Sequence, residues 1–331
     1  ADLVAFGRQS LADPAMPKKA QEERLEDMTP CIACLQGCVA NMYAGNPVCC
    51  LTNPFLGHEA EPLEKAEEPK KVMVIGGGVA GLSAAFIAKE RGHEVTLYEA
   101  GDVLGGNMRL AAYPPGKGDI TNMIRSYIHR CQKDGVKIVM NCEVTPELIK
   151  EEKPDSVIIA TGSKTLILPI EGIDNPAIIH GSDLLDGKRA AGKKVLVVGG
   201  GMVGCETAAF LGEQEHDVTV IEFRDTVGAD VIHEHRVYLM KDFEDYGIKE
   251  ITGAKVCKFY EDGVEYETAD GVRHESRGYD SVILSMGFRN YNPLEEKIKD
   301  LVPETHVIGD AIRARRALDA TKEAYEVASR I

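Results

Sequence analysis

Five of the nine cysteines in the sequence fall within residues 31–50, which read CIACLQGCVANMYAGNPVCC. Four of them, Cys31, Cys34, Cys38 and Cys50, follow the spacing C-x2-C-x3-C-x11-C. Thiolates at such short intervals, without a secretory leader, are more typical of metal binding than of disulfides. A [4Fe–4S] cluster and a structural zinc ion both accept four thiolates, so the spacing alone leaves both open. A close triplet followed by one distant cysteine is more common for iron–sulfur centres.

The elements that would position a redox centre come from an internal duplication. Residues 72–99 and 195–222 repeat one pattern at an offset of 123 positions without a gap. Each has a β-branched run, a Gly-x-Gly-x-x-Gly turn, a helical stretch and a second strand closed by an acid. The first glycine permits the tight turn, the second lets a pyrophosphate approach the backbone, and the third lets the helix pack on the strand. The residues concerned are Gly76, Gly78, Gly81 and Glu99, and then Gly199, Gly201, Gly204 and Glu222.

The start of each predicted helix offers free N–H groups and a positive dipole end to a pyrophosphate. Glu99 and Glu222 lie 23 residues after the first glycine, where an acid can bind ribose hydroxyls. A carboxylate at 222 repels a 2′-phosphate and favours NADH over NADPH, although Arg224 nearby weakens that preference. The alternative is a duplicated α/β scaffold whose second site is empty.

Three further segments are SVIIATGS at 156–163, SVILSMGF at 281–288 and THVIGDA at 305–311. Together with the glycine turns they resemble the glutathione-reductase-like flavoproteins, over roughly residues 71–331. The resemblance implies FAD in the first domain and NAD in a second domain inserted into it. The implied FAD contacts are Gly76, Gly78, Gly81, Glu99, Gly106, Gly162, Gly309 and Asp310, and the implied NAD contacts are Gly199, Gly201, Gly204 and Glu222. Asp310 has the second interpretation of a helix N-cap.

The redox-active disulfide of that class is missing, because residues 71–331 contain no Cys-x-x-Cys or comparable near pair. Electrons that reach a flavin must therefore leave by another carrier. A redox-inert zinc ion would strand them, whereas a cluster would carry them away.

The segments CIACLQGC at 31–38, CLTNP at 50–54 and PPGKGD at 114–119 resemble the iron–sulfur branch of the old yellow enzyme family. That branch includes 2,4-dienoyl-CoA reductase, 2-enoate reductase and trimethylamine dehydrogenase. The resemblance makes Cys50 the fourth ligand, and leaves Cys49 as a small buried hydrophobe.

In this branch a TIM barrel that carries FMN precedes the cluster. Residues 2–14, DLVAFGRQSLADP, resemble the last strand of the barrel and the turn after it. Gly7 and Arg8 would reach the FMN phosphate there. The sequence starts without Met and with what resembles a strand over Leu3 to Phe6, so we expect the reductase half of a longer enzyme.

The predicted fold is α/β, with two Rossmann-like dinucleotide-binding domains of the glutathione-reductase-like type after a cysteine-rich segment and a barrel tail. The predicted divisions are the barrel end at 1–25, the cluster segment at 26–58, an acidic linker at 59–70, the FAD domain at 71–165 and 286–331, and the inserted NAD domain at 166–285.

The leading hypothesis is that NAD(P)H reduces FAD, and that a [4Fe–4S] cluster passes electrons to FMN in the barrel for reduction of an enoate, enone or enoyl-CoA double bond. One alternative is a trimethylamine-dehydrogenase-like protein with structural ADP and a partner flavoprotein. The other is a zinc-clipped nucleotide-binding module that is not an enzyme. We assign no substrate-directed catalytic residue. Neither the substrate nor the oligomeric state follows from the sequence, and a homo-oligomer is compatible with it.

The composition bears on the other partners. Aspartate and glutamate outnumber lysine and arginine by 53 to 38, a formal net charge of −15, which repels nucleic acid and anionic membranes. No stretch reaches the ~18 apolar residues of a membrane span. We expect a cytoplasmic protein with no nucleic-acid or membrane partner.

Overall fold

The computed structural model describes residues 2–331. Ala1, the first residue of the predicted barrel end at 1–25, lies outside the described residues. Within 2–331 there are fifteen strands and twelve α-helices. The strands are β1 (Lys71–Ile75), β2 (Glu94–Tyr98), β3 (Lys137–Val139), β4 (Ser156–Ile159), β5 (Ser163–Thr165), β6 (Ile179–His180), β7 (Lys194–Val198), β8 (Asp217–Ile221), β9 (Lys249–Ile251), β10 (Lys255–Tyr260), β11 (Gly263–Glu267), β12 (Arg273–Ser276), β13 (Ser281–Leu284), β14 (Phe288–Asn290) and β15 (Glu304–Val307). The helices are α1 (Arg8–Ala12), α2 (Met16–Gln21), α3 (Val39–Tyr43), α4 (Val79–Glu90), α5 (Asn107–Leu110), α6 (Asp119–Lys133), α7 (Pro146–Glu152), α8 (Gly181–Leu185), α9 (Met202–Glu213), α10 (His233–Asp245), α11 (Glu295–Ile298) and α12 (Ala317–Ala328).

The chain divides into two compact units, and the second is inserted into the first along the sequence. The first unit contains the described residues up to Arg109, with Asp119–Lys164 and Arg289–Ile331. The second unit contains Leu110–Gly118 and Thr165–Phe288.

The first unit is built on a parallel five-stranded sheet with the order β15-β4-β1-β2-β3. Its central strands are runs of apolar residues because helices cover such a sheet on both faces. Helix α4 is buried from Val79 to Ala88 and packs against α12. Helix α6 buries one face, which carries Ile120, Met123, Ile124, Tyr127 and Cys131 at helical spacing.

The second unit repeats this sheet. Its parallel order is β6-β13-β7-β8-β9, in which β13, β7, β8 and β9 take the places of β4, β1, β2 and β3. Between β9 and β13 the chain forms a separate antiparallel sheet of β10, β11 and β12. The predicted α/β fold with two Rossmann-like domains is therefore confirmed.

The beginning of the chain differs from the expectation. Residues 2–6 form no strand, and Leu3 is 93% exposed. The predicted short strand over Leu3 to Phe6 is wrong for this structure, because no described strand lies beside these residues to complete a hydrogen-bonded ladder. Residues 59–70 also form neither helix nor strand, although Ala66 donates a backbone hydrogen bond to Arg91.

None of the helices within residues 2–331 combines the length and the apolar character required to cross a bilayer.

Candidate functional site

The first glycine turn connects β1 to α4. Gly76 has a φ of +108°, and an added Cβ would lie 2.3 Å from the carbonyl oxygen of Ala160. An added Cβ on Gly81 would lie 1.9 Å from the carbonyl oxygen of Gly76, so only glycine lets α4 start this close to the strand. An added Cβ on Gly78, by contrast, would meet nothing within 4 Å. The turn thus leaves open space above its second glycine, at the N-terminus of α4.

The second turn, between β7 and α9, has the same backbone. Gly199 has a φ of +104°, and an added Cβ would lie 2.4 Å from the carbonyl oxygen of Ser285. An added Cβ on Gly204 would lie 1.8 Å from the carbonyl oxygen of Gly199. One difference is local: near Gly201 the Asp230 carboxylate comes within 3.5 Å of the added Cβ position.

The two glutamates close their turns in the same way. Glu99 accepts backbone hydrogen bonds from Gly77 at 2.6 Å and Gly101 at 2.7 Å. Glu222 accepts them from Gly200 at 2.6 Å and from Arg224 at 2.9 Å. Each carboxylate is therefore fixed at the carboxyl end of its strand, where a ligand of this type of sheet binds.

The remaining predicted FAD contacts gather around the start of α4. An added Cβ on Gly106 would lie 3.2 Å from the Cα of Gly78, and one on Gly309 would lie 3.1 Å from the Cβ of Ala80. Gly162 is followed by Ser163, whose hydroxyl donates to Asp310 over 2.8 Å. The structure thus assembles this predicted set within the first unit.

Asp310 does not cap an α-helix. It lies in a 3₁₀ turn, Gly309–Ala311, whereas α12 begins at Ala317 with Arg316 as its N-cap. Its second carboxylate oxygen accepts the backbone N–H of Arg315 over 3.0 Å. Asp310 is thereby held between Ser163 and the loop that precedes α12.

The five cysteines of residues 31–50 surround one cavity of the first unit. Its lining consists of Arg8, Leu11, Cys31, Ile32, Ala33, Cys34, Leu35, Gly37, Cys38, Cys49, Cys50, Leu51 and Thr52. Burial raises the pKa of the Cys34 thiol to about 11, and the nearby Cys50, Cys38 and Cys31 add to the rise. Cys34 is thus surrounded by the other three predicted ligands. A metal that binds here has to displace a proton from this thiol.

Cys49 has a different environment. Its Sγ accepts a hydrogen bond from the side-chain amide of Asn41 over 3.3 Å. Burial raises the pKa of the Cys49 thiol, and the positive charge of Lys322 partly opposes that rise. Cys50, by contrast, has its Sγ 3.3 Å from the hydroxyl oxygen of Thr52.

The spacing of these thiols bears on the group they would hold. Within residues 2–331, no three His, Cys, Asp or Glu side chains come together closely enough for one metal ion. A tetrahedral zinc site needs its sulfurs about 3.8 Å apart, since Zn–S bonds are about 2.3 Å long. A [4Fe–4S] cluster is bound through one thiolate per iron, so its ligands are spread around a larger core. The donors are all sulfur, which fits a cluster and also a structural zinc ion.

The segment that carries the cysteines is fastened within the first unit. The backbone N–H of Cys31 donates to the side chain of Gln9 over 2.9 Å. The buried hydroxyl of Tyr127 donates to the carbonyl oxygen of Leu51 over 3.0 Å. His58, the other potential ligand near this segment, stacks on the ring of Tyr325 with 4.2 Å between the centroids. Gly7 is the N-cap of α1, and Arg8 is exposed at the rim of the cysteine cavity.

Sequence reasoning missed three side chains at these sites, namely Asn107, Ser163 and Asp230. The signal for two of them was available, because Asn107 and Asp230 are separated by the same 123 positions as the two turns. Ser163 had no such signal, since its contact with Asp310 joins residues 147 positions apart.

This fold and these turns define a two-dinucleotide-domain oxidoreductase. Residues 70–306 match the pyridine nucleotide-disulphide oxidoreductase family, and the chain belongs to that family.

Relatives that match nearly the whole chain extend the comparison. A cinnamate reductase of Clostridium sporogenes is 34% identical over 100% of this chain and 50% of its own length. An NADH oxidase of Thermoanaerobacter brockii is 35% identical over 100% of this chain and 52% of its own length. A solved 2-naphthoyl-CoA reductase is 34% identical with a TM-score of 0.93, over 98% of this chain and 50% of that one.

The chain therefore spans about half the length of these relatives. The resemblance inferred from the cysteine and glycine motifs is confirmed, and the chain contains the oxidoreductase domain of this family.

Proposed function

We propose that this chain is the NAD(P)H-oxidising reductase portion of an iron–sulfur flavoprotein. FAD would bind the first unit at the residues grouped around Gly78 and Asp310. NADH would bind the second unit at Gly199, Gly201, Gly204 and Glu222. When bound, nicotinamide supplies two electrons at once, flavin exchanges one or two, and a [4Fe–4S] cluster exchanges one. The residues of the chain bind and orient these groups and limit the access of water.

The observation that carries the proposal is a chain of packed side chains. It connects the cysteine loop, residues 31–50, to α4, the helix that follows the first glycine turn. Leu51 follows Cys50, is fully buried and accepts the hydrogen bond of Tyr127. The ring of Tyr127 makes an edge contact with Phe86 at 5.1 Å between centroids. Phe86 lies on α4, the helix that begins at the glycine turn. A one-electron centre and a flavin would thus share one compact body.

A [4Fe–4S] cluster at Cys31, Cys34, Cys38 and Cys50 is the best-supported occupant of the cysteine cavity. In support, Cys34 has the other three thiols as neighbours, and all four cysteines line one cavity. Cys50 is the stronger candidate for the fourth ligand, because it has the largest effect of the neighbouring thiols on the pKa of Cys34.

NADH is the proposed coenzyme in preference to NADPH. Glu222 is held at the end of β8 by two backbone N–H groups, so its negative charge stays near the position of a ribose 2′-substituent. Arg224 is exposed and its backbone, not its side chain, contacts Glu222.

The activity of the whole protein is a further part of the proposal. We infer that the whole protein has an additional TIM barrel that carries FMN. Gly7 and Arg8 would lie near the FMN phosphate. An activated C=C bond would be reduced at this FMN. The names cinnamate reductase and 2-naphthoyl-CoA reductase favour an unsaturated or aromatic acid, or its CoA thioester, as the substrate class. A cytoplasmic location suits thiolates that must stay reduced.

Chemical analysis of anaerobically purified chain tests the proposal. Acid extraction followed by chromatography is expected to identify the released nucleotide as FAD. Iron and acid-labile sulfide analysis is expected to give four of each per chain. ADP in place of FAD would favour the trimethylamine-dehydrogenase-like alternative. Zinc without iron would favour the non-catalytic module.

A further inference from the structure

In the second unit, the N-terminus of α9 already holds a carboxylate of the chain itself. Oδ1 of Asp230 accepts the backbone N–H of Met202 over 2.8 Å. Met202 is the first residue of α9 and follows Gly201, the second glycine of the turn. The other carboxylate oxygen lies 3.5 Å from the position of an added Cβ on Gly201. Asp230 therefore covers the glycine above which a pyrophosphate is proposed to bind.

The first unit has a neutral residue in the equivalent place. Gly105 and Gly228, 123 positions apart, each donate a backbone hydrogen bond to the middle glycine of their turn, over 2.8 and 2.7 Å. The two halves of the duplication thus still correspond, at the same offset of 123 positions, beyond Glu99 and Glu222. Two residues further on, this offset aligns Asn107 with Asp230.

Asn107 leaves its own turn open. Its side-chain amide nitrogen lies 3.3 Å from both the carbonyl and the hydroxyl oxygen of Ser163. The space above Gly78 contains no atom within 4 Å of an added Cβ. The two dinucleotide folds therefore differ by one charge at the position where the pyrophosphate is expected.

We propose that Asp230 limits the affinity of the second unit for its dinucleotide by occupying the pyrophosphate position when the site is empty. A carboxylate and a pyrophosphate compete for the same N–H donors and the same positive end of the helix dipole. The dinucleotide must displace a like charge as it enters, and Asp230 returns as it leaves. Such competition suits a coenzyme that is exchanged at every turnover, whereas Asn107 leaves the first site free to retain its nucleotide. The inference rests on the proposed function, since it takes the second unit as the NAD(H) site.

The test measures ADP-ribose binding to the FAD-reconstituted 331-residue chain by calorimetry. ADP-ribose carries the pyrophosphate but donates no electrons. Asp230→Asn, which reproduces the residue of the first unit, is expected to bind it about tenfold more tightly or better, the gain for removing one charged competitor. Asp225→Asn is the matched control, because it removes the same charge from an exposed residue of the same loop. Adenosine, which lacks the pyrophosphate, should bind all three proteins equally.

Several outcomes would overturn the inference. The first is equal affinity of the wild type and Asp230→Asn for ADP-ribose. The second is an equal increase in ADP-ribose affinity in Asp225→Asn. The third is an equal increase in the affinity of Asp230→Asn for adenosine. In these cases the NAD(H) site itself would stand. If ADP-ribose bound to none of the proteins, the assignment of the second unit as that site would be wrong as well.

A reciprocal variant tests the first unit. Asn107→Asp is expected to lower the fraction of FAD retained after gel filtration, because it places a carboxylate near the start of α4. Unchanged retention would contradict the inference by showing that charge at this position does not control nucleotide affinity.

Discussion

The hydroxyl of Tyr127 donates a hydrogen bond to the carbonyl oxygen of Leu51, over 3.0 Å, from a helix of the FAD-type domain to the residue after Cys50. Both residues are buried. Burial raises the pKa of Tyr127 well above its usual range, so the hydroxyl stays a donor at any physiological pH. This bond links the residue that follows Cys50 to a core helix of the first unit.

Tyr127→Phe is therefore expected to reduce the free energy of unfolding by about 1–3 kcal/mol, the cost of leaving a buried carbonyl unpaired. It should also speed the loss of iron from the reconstituted chain. Urea unfolding and the rate of iron release to a chelator measure the two effects. Tyr43→Phe is the control, since Tyr43 is 75% exposed. Equal behaviour of both variants would show that the bond does not hold the loop.

Replacing the cysteines one at a time tests the ligand assignment. Serine at Cys31, Cys34, Cys38 or Cys50 is expected to abolish the cluster, because each removes the thiolate of one iron. Cys49→Ser should retain iron and sulfide at the wild-type ratio, because Cys50 is the proposed fourth ligand. Iron and sulfide analysis of all five variants is the measurement. A Cys49→Ser protein without iron beside an intact Cys50→Ser protein would reverse the assignment.

Coenzyme preference should depend on Glu222. Glu222→Gln keeps a hydrogen-bond acceptor but removes the charge that repels a 2′-phosphate. We measure each activity as kcat/KM with a dye that accepts electrons from the flavin. The ratio of NADPH activity to NADH activity is expected to rise about tenfold. Glu261→Gln, an exposed residue of the same unit, should leave the ratio unchanged. An unaltered ratio in Glu222→Gln would remove the structural reason for preferring NADH.

Asp27 should make the stability of the first unit depend on pH. Hydrogen bonds from Lys133, His129 and Arg24 hold the pKa of this carboxyl well below its usual range, Lys133 having the largest effect. A lowered pKa in the folded state stabilises the fold above the unfolded-state value of 3.8, and this contribution disappears as the pH falls toward the folded-state pKa.

Asp27→Asn is therefore expected to be less stable than the wild type near neutral pH, and the difference should shrink below about pH 3.8. Urea midpoints over a pH series measure it. Glu26→Gln, at an exposed neighbour in the same turn, serves as the control. A difference that does not change with pH would mean that Asp27 acts through packing and not through its charge.

The sequence was sufficient for the parts of the fold that repeat a local pattern. The β-branched runs before Gly76 and Gly199 form strands, and Glu99 and Glu222 directly follow their second strands, as the spacing indicated. The prediction of a strand over Leu3 to Phe6 was wrong, because a strand depends on a neighbour that local sequence does not encode.

Contacts between distant segments were the other gap. Tyr127 and Leu51 are 76 positions apart, and nothing in either local sequence pairs them. Asp230 lies beyond the repeated sequence pattern, which ends at Glu222. The structure extends the repeat and shows that the two turns differ in charge.

Anaerobic titration of the purified, reconstituted chain with NADH shows whether pyridine nucleotide reduces its flavin. We expect substoichiometric NADH to bleach the visible flavin band. The Cys50→Ser variant should still show this bleaching, while the broad absorbance of the cluster is missing. A chain that contains FAD but shows no bleaching with either NADH or NADPH would contradict the claim that it is a pyridine-nucleotide-dependent flavin reductase.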